Sequence, residues 1–181
     1  MMGKSRWLIL IFSCILIMSG CENQEAANSV NGTSDAPVIK SNNADINTSG
    51  NGKITCTREA FAGNNVDVDL SYELEYINGY VQTLHSVEKI MSSSNDSLDD
   101  YEEAYKKIAD NYKGLKYYDI NISRTKDTVI NDTFINYEKL DMERLLEIEG
   151  EEDNVVEDGK VKLETWLDFA EAFGTVCEEV K

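Results

Sequence analysis

The chain has 181 residues and carries 34 acidic against 17 basic side chains, a formal charge of −17, with a single histidine and a single proline. Such a balance disfavours nucleic acid, whose binding demands neutralisation of phosphates by Lys and Arg. It also disfavours adsorption to anionic lipid by charge alone, and one histidine excludes any metal site built from several.

The first residues read as an export signal. Lys4 and Arg6 form a short positive stretch, and Trp7 to Met18 is apolar apart from Ser13. A membrane-spanning helix needs ~20 apolar residues, so this run is too short to be a permanent anchor and fits the apolar region of a signal peptide. It ends in Met18-Ser19-Gly20-Cys21, which resembles the lipobox of bacterial lipoproteins, with Met18 where leucine is usual. The resemblance implies that residues 1–20 are cleaved, that diacylglycerol and then palmitate are attached at Cys21, and that the protein sits on the extracytoplasmic face of the cell membrane. Two acyl chains suffice for stable anchoring where one would be marginal. Loss of Lys4 and Arg6 from the 17 basic residues leaves 15 against 34 acidic ones, so the mature form carries −19.

Residues 22–52 are rich in Asn, Ser, Gly, Thr and Ala and show no periodicity. Such a composition cannot bury enough surface to offset its ordering entropy, so the stretch reads as a linker. As a flexible coil it would span roughly 30 Å. Its Asn-x-Ser/Thr triplets at Asn31 and Asn47 are expected by chance in an Asn-rich chain. A single domain is expected over 53–181.

Four cysteines remain to be assigned. Cys14 leaves with the signal and Cys21 takes the lipid, which leaves Cys56 and Cys177. Outside the cytoplasm, two such cysteines are expected to form a disulfide. No Cys-x-x-Cys spacing and no nearby histidine supports a redox or metal pair.

The first clear element runs from Val66 to Tyr76, where Val66, Val68, Leu70, Tyr72, Leu74 and Tyr76 alternate with polar residues. That period predicts a half-buried strand with one wet face. Asn78-Gly79 follows, a strong hairpin signal because both turn positions need φ > 0. The return strand is expected over Tyr80 to Met91. A two-residue turn places His85 beside Tyr72 on the buried face and a three-residue turn places it outside; the sequence leaves both open.

A helix is predicted next. Ser97 with Asp100 resembles a capping box, Leu98, Tyr101, Tyr105, Ile108 and Tyr112 recur at helical spacing, and Gly114 ends the run. Strands are expected over 115–123 and 129–137, a short helix over 141–149, an acidic loop over 149–159, and a final helix over 163–180. Its apolar stripe, Leu163, Trp166, Leu167, Ala170, Phe173 and Cys177, would be stapled to the first strand at Cys56. The predicted class is α+β: an antiparallel sheet in β-β-β-α-β-β order covered on one face by helices.

The order resembles the YehR-like small bacterial lipoproteins, a group without an established function. The resemblance is carried by Ile54-Thr-Cys-Thr57, the long amphipathic hairpin, the Tyr-rich helix leading into Tyr112-Lys-Gly-Leu115, and Thr133-Phe-Ile-Asn-Tyr-Glu-Lys-Leu-Asp-Met142. It covers about 53–146; the acidic loop and Cys177 lie beyond it. It implies the fold and the anchoring, and brings no active site.

Three features have chemistry to offer. Asp67, Asp69, Glu73 and Glu75 form a carboxylate comb, and residues two apart on a strand stand ~6.6–6.8 Å apart. That spacing suits the acid and base of an inverting glycosidase, but such chemistry needs one carboxyl raised by burial, and the alternation places this face in water. Glu149, Glu151, Glu152, Asp153, Glu157 and Asp158 form an acidic cluster without the EF-hand order; it reads as a solvated loop, with calcium as the competing reading. The tyrosines at 72, 76, 80, 101, 105, 112, 117, 118 and 137 read mostly as core, with any exposed ones free to line a groove for sugar or peptide. No hydrolase, metalloprotease, Walker or dinucleotide motif is present. The expectation is a non-catalytic binding or interaction module acting on an envelope protein or glycan, with no catalytic residues, cofactor or metal. The alternative is a carboxylate-based hydrolase of cell-wall glycan.

Overall fold

The computed structural model describes residues 46–63, 65–150 and 155–180. Among these described residues, eight strands and three helices follow one another as β1 Gly52–Gly63, β2 Val66–Ile77, β3 Tyr80–Ser92, α1 Asn95–Asn111, β4 Tyr118–Arg124, β5 Thr128–Asn136, α2 Met142–Glu149, β6 Val156–Glu157, β7 Lys160–Val161, α3 Leu163–Ala172 and β8 Val176–Glu179. Six of the strands make one antiparallel sheet in the order β4-β5-β3-β2-β1-β8, and β6 and β7 pair as a separate small hairpin. The fold is α+β, as the residue pattern predicts.

The long β2–β3 hairpin is the spine. Asn78 (φ 51) and Gly79 (φ 79) make the two-residue turn, and Ile77 faces Tyr80. Gly79 is required twice over. Besides its positive φ, a Cβ there would lie 2.7 Å from the Thr48 carbonyl oxygen, because residues 46–52 pack against this end of the sheet. Ile46 is buried in the core, Gly79 N–H donates to Gly50 O at 3.1 Å, and Asn78 N–H donates to Asn51 Oδ1 at 2.6 Å. This segment, expected as linker, is bound into the domain because the turn leaves backbone donors and a core end for it to cover.

Helix α1 starts earlier than the Ser97–Asp100 pattern suggests. Ser94 is the N-cap, its hydroxyl accepting from Ser97 N–H at 3.3 Å. Leu98 and Tyr105 are its fully buried anchors. Helix α2 is capped by the Asp141 carboxylate, which accepts from Arg144 N–H at 3.0 Å.

The C-terminus departs from expectation. Helix α3 stops at Ala172: Gly174 takes φ 75, and Thr175 donates from both N–H and hydroxyl to Ala170 O. Leu163, Trp166, Leu167 and Ala170 are the buried stripe, whereas Cys177 belongs to strand β8. The outer edge of β1 supplies the reason. An unpaired strand edge in the domain leaves backbone groups without partners, and Val176–Glu179 satisfies them, with Cys56 directly opposite Cys177. The disulfide between them is present, with a sequence separation of 121 residues, and both cysteines are fully buried.

The core lies under one sheet face in two clusters. The larger gathers Ile54, Tyr72, Leu74, Leu84, Ile135, Leu145 and Trp166, with Tyr72 and Trp166 edge to face at 5.4 Å. The smaller gathers Val66, Val68, Ile90, Leu98, Tyr105 and Val129 beneath α1. Polar Ser86, Glu88, Asn131 and Thr133 are buried on the same face.

Candidate functional site

The opposite face of the sheet carries the polar half of each alternating strand. Its side chains form rows across the strands. In the central row, Thr55 of β1 faces both Glu178 of β8 and Glu73 of β2. Glu73 faces His85 of β3, His85 faces Phe134 of β5, and Phe134 faces Asp119 of β4. Six strands thus contribute one side chain each to a single line.

A β-bulge decides its membership. The turn has two residues, which alone would put His85 against Tyr72, inside. Between Glu75↔Thr83 and Tyr76↔Val81, however, Gln82 is left over. An extra residue shifts the register by one and exchanges the faces of the strand beyond it. His85 therefore lies outside, opposite Glu73, and Glu88 lies inside, opposite Leu70 and Asn131.

On the outer face His85 Nε2 lies 2.9 Å from Asp132 Oδ1, and the Lys53 ammonium donates to Glu75 at 2.5 Å. The Glu75 carboxylate raises the Lys53 pKa. Phe134 is 42% exposed and Val180 55%. Lys53, Thr55, Glu73, His85, Phe134 and Val180 border a shallow concavity of about 410 Å³. The comb residues Asp67, Glu73 and Glu75 are exposed and Asp69 is half-buried, so none is desolvated.

Among the described residues two carboxylates are buried, Glu88 and Glu149, both on the helix side and neither in that concavity. Glu88 is 6% exposed, and burial pushes its carboxyl up to about 7, against the opposing pull of the Tyr105 hydroxyl and the Arg58 charge. Burial and the Glu88 charge together raise the nearby Tyr101. Arg58 itself donates from NH1 to Phe173 O at 2.6 Å. Glu149 is also buried and accepts from the Tyr112 hydroxyl at 2.9 Å. Tyr112 stacks on Tyr118 with ring centroids 4.3 Å apart, and burial holds Tyr112, Tyr118 and Tyr137 above the ordinary phenol range.

Cys21, the signal of residues 1–20 and the linker through residue 45 lie outside the described residues, as do Glu151, Glu152 and Asp153. Of the rest of the acidic cluster, Glu149 is in the core and Glu157 accepts from the Lys162 ammonium and the Thr165 hydroxyl. Among the described residues no three His, Cys, Asp or Glu side chains converge on a metal site. Of the tyrosines, Tyr112 and Tyr118 border a second open concavity of about 350 Å³ at the end of α1, but most of their surface is buried. Tyr72, Tyr76, Tyr105, Tyr112, Tyr118 and Tyr137 are buried, Tyr80 and Tyr101 are half-buried, and exposed Tyr117 stands under the Lys139 ammonium at 5.9 Å. The exposed ring at the site is Phe134, which the pattern hides because Phe134 and Ile135 are apolar on opposite faces. Glu88 is hidden by the bulge.

No family model and no curated protein matches the chain. Two solved structures are similar to it. The solution structure of YehR from E. coli aligns over 73% of this chain and 95% of its own, at 15% identity and a TM-score of 0.47. A solution structure of a protein from Streptococcus pneumoniae aligns over 88% of this chain and all of its own, at 13% identity and a TM-score of 0.44. YehR also names the group that the sequence motifs resemble.

Proposed function

We propose that this chain is a lipid-anchored protein of the extracytoplasmic membrane face whose folded domain is a non-catalytic interaction module. The anchoring half of the proposal is supported by Lys4, Arg6, the apolar run to Met18 and the Ser19-Gly20-Cys21 sequence. The domain's working surface is the sheet face opposite the core, and one observation carries that reading: Phe134 stands exposed between Asp119 and His85 in a six-strand row whose other members are polar. An aromatic ring ringed by polar groups is the usual composition of a recognition patch. Catalysis by paired carboxylates is disfavoured, because the comb lies on the open face of the sheet and none of its members is buried.

Photo-crosslinking on intact cells tests the surface. A photoreactive residue at Phe134 should give discrete adducts, and one at exposed Glu103 on α1 should give none. Adducts from α1 alone would move the working surface to the helices. Release of reducing ends from purified cell wall by the pure protein would overturn the non-catalytic reading.

A further inference from the structure

We infer that the open face docks a basic segment of a partner protein, seating an arginine or lysine on Phe134 between Asp119 and Asp132. The inference rests on the reading of that face as the working surface and adds the chemistry of the partner. Asp119 is directly opposite Phe134, and Asp132 is two residues from it on the same strand. Directly opposed Cβ atoms stand ~4.5–5.5 Å apart, and same-face neighbours on one strand ~6.6–6.8 Å apart. A cation above the ring is thus within reach of the Asp119 carboxylate and of the Asp132 oxygen that His85 Nε2 does not engage. Arginine suits this arrangement because its planar guanidinium stacks on an aromatic face while its fork meets carboxylate oxygens.

The charge of the whole face favours the same occupant. Asp67, Asp69, Glu73, Glu75, Asp119, Asp132 and Glu178 point to this side, against Lys53 and Lys89. Both lysines are already matched, Lys53 to Glu75 at 2.5 Å and Lys89 opposite Asp69 across β2 and β3. Glu73, Asp119 and Glu178 in the central row have no lysine opposite them. Their charges are favoured by an arriving cationic partner and oppose an anionic one. A neutral glycan can donate hydroxyls to the carboxylates but leaves their charge uncompensated. Six strands at ~4.8 Å spacing give a row ~24 Å long, the reach of an extended segment of about seven residues.

The test uses the full mature chain with Cys21→Ser, and as probe a fluorescent octapeptide of alternating arginine and glycine. Binding should weaken at least ~10-fold from 50 to 300 mM salt. Phe134→Ala should weaken it ~10-fold, Phe134→Tyr should restore it, and Asp119→Asn should weaken it several-fold. Asp100→Asn and Glu171→Gln make the same charge change on the helices and should leave it unchanged. Because Phe134 is 42% exposed, its truncation opens no core cavity, and an unchanged melting temperature confirms that each variant is folded. Equal losses from Asp100→Asn and Asp119→Asn would mean diffuse attraction to an acidic protein and would overturn the inference. So would preferential binding of the glutamate–glycine counterpart or of muropeptide fragments. Crosslinks from position 134 to an acidic partner would refute the basic segment while leaving the working surface in place; crosslinks from α1 alone would refute the surface itself.

Discussion

Replacing Glu88 by glutamine should make the protein more stable at alkaline pH and leave it little changed at acid pH. The carboxyl is 6% exposed beneath α1, and burial lifts its pKa from 4.5 to about 7 despite the favourable Arg58 charge and Tyr105 hydrogen bond. A carboxyl that holds its proton more tightly when folded makes the native state bind more protons than the unfolded chain between those two values. Stability from this group is therefore present below about pH 4.5 and lost as pH rises through 7. At ~1.4 kcal/mol for each pH unit of separation, the full loss above pH 7 is about 3 kcal/mol. Glutamine keeps the shape and a hydrogen-bonding oxygen and stays neutral throughout. Urea unfolding of parent and Glu88→Gln at pH 4.5, 6 and 8, followed by tryptophan fluorescence, should show a gap that opens towards about 3 kcal/mol in favour of the variant. The acidic surface repels itself equally in both proteins, so it cancels in the difference. A gap independent of pH would show that Glu88 titrates as an exposed carboxyl and would refute the buried assignment. A gap opening in favour of the parent would show that the Arg58 pairing outweighs desolvation.

Gly79→Ala should destabilise by more than 2 kcal/mol in thermal or urea unfolding, since a Cβ would meet the Thr48 carbonyl oxygen at 2.7 Å at φ 79; a loss below ~0.5 kcal/mol would contradict the docking of residues 46–52. Double replacement of Cys56 and Cys177 by serine should cost ~4–5 kcal/mol on the chain-entropy account of a loop of this length, read by denaturant midpoint, with the oxidised parent showing no free thiol. Tyr112→Phe removes the hydroxyl that donates to buried Glu149 at 2.9 Å and should cost about 1–3 kcal/mol, a loss that Tyr117→Phe, at an exposed site, should not reproduce. Changing Cys21 to Ala should release folded protein into the medium, measured by blotting culture supernatant against membranes; retention at the membrane would refute the anchor.

Local periodicity and turn chemistry sufficed for much of this molecule. Val66 to Tyr76 alternates so regularly that a half-buried strand is the one structure that separates its two kinds of side chain, and Asn78-Gly79 accepts the positive φ that a tight hairpin needs. Elimination among four cysteines was enough for the Cys56–Cys177 pair. What escaped the sequence depends on partners distant along the chain. Cys177 continues the helical spacing of Leu163, Trp166, Leu167, Ala170 and Phe173, yet Val176–Glu179 is a strand because β1 offers an unpaired edge more than a hundred residues earlier in the chain. His85 and Glu88 exchange faces because one residue, Gln82, is extruded beside the turn, a choice that strand periodicity cannot express when either register leaves some polar side chain inside. Exposure of Phe134 follows from that register and from the helices packing on the other face. The residue pattern determines which segments must hide one side; only the assembled sheet determines which side stays open, because burial is settled between elements and not within them.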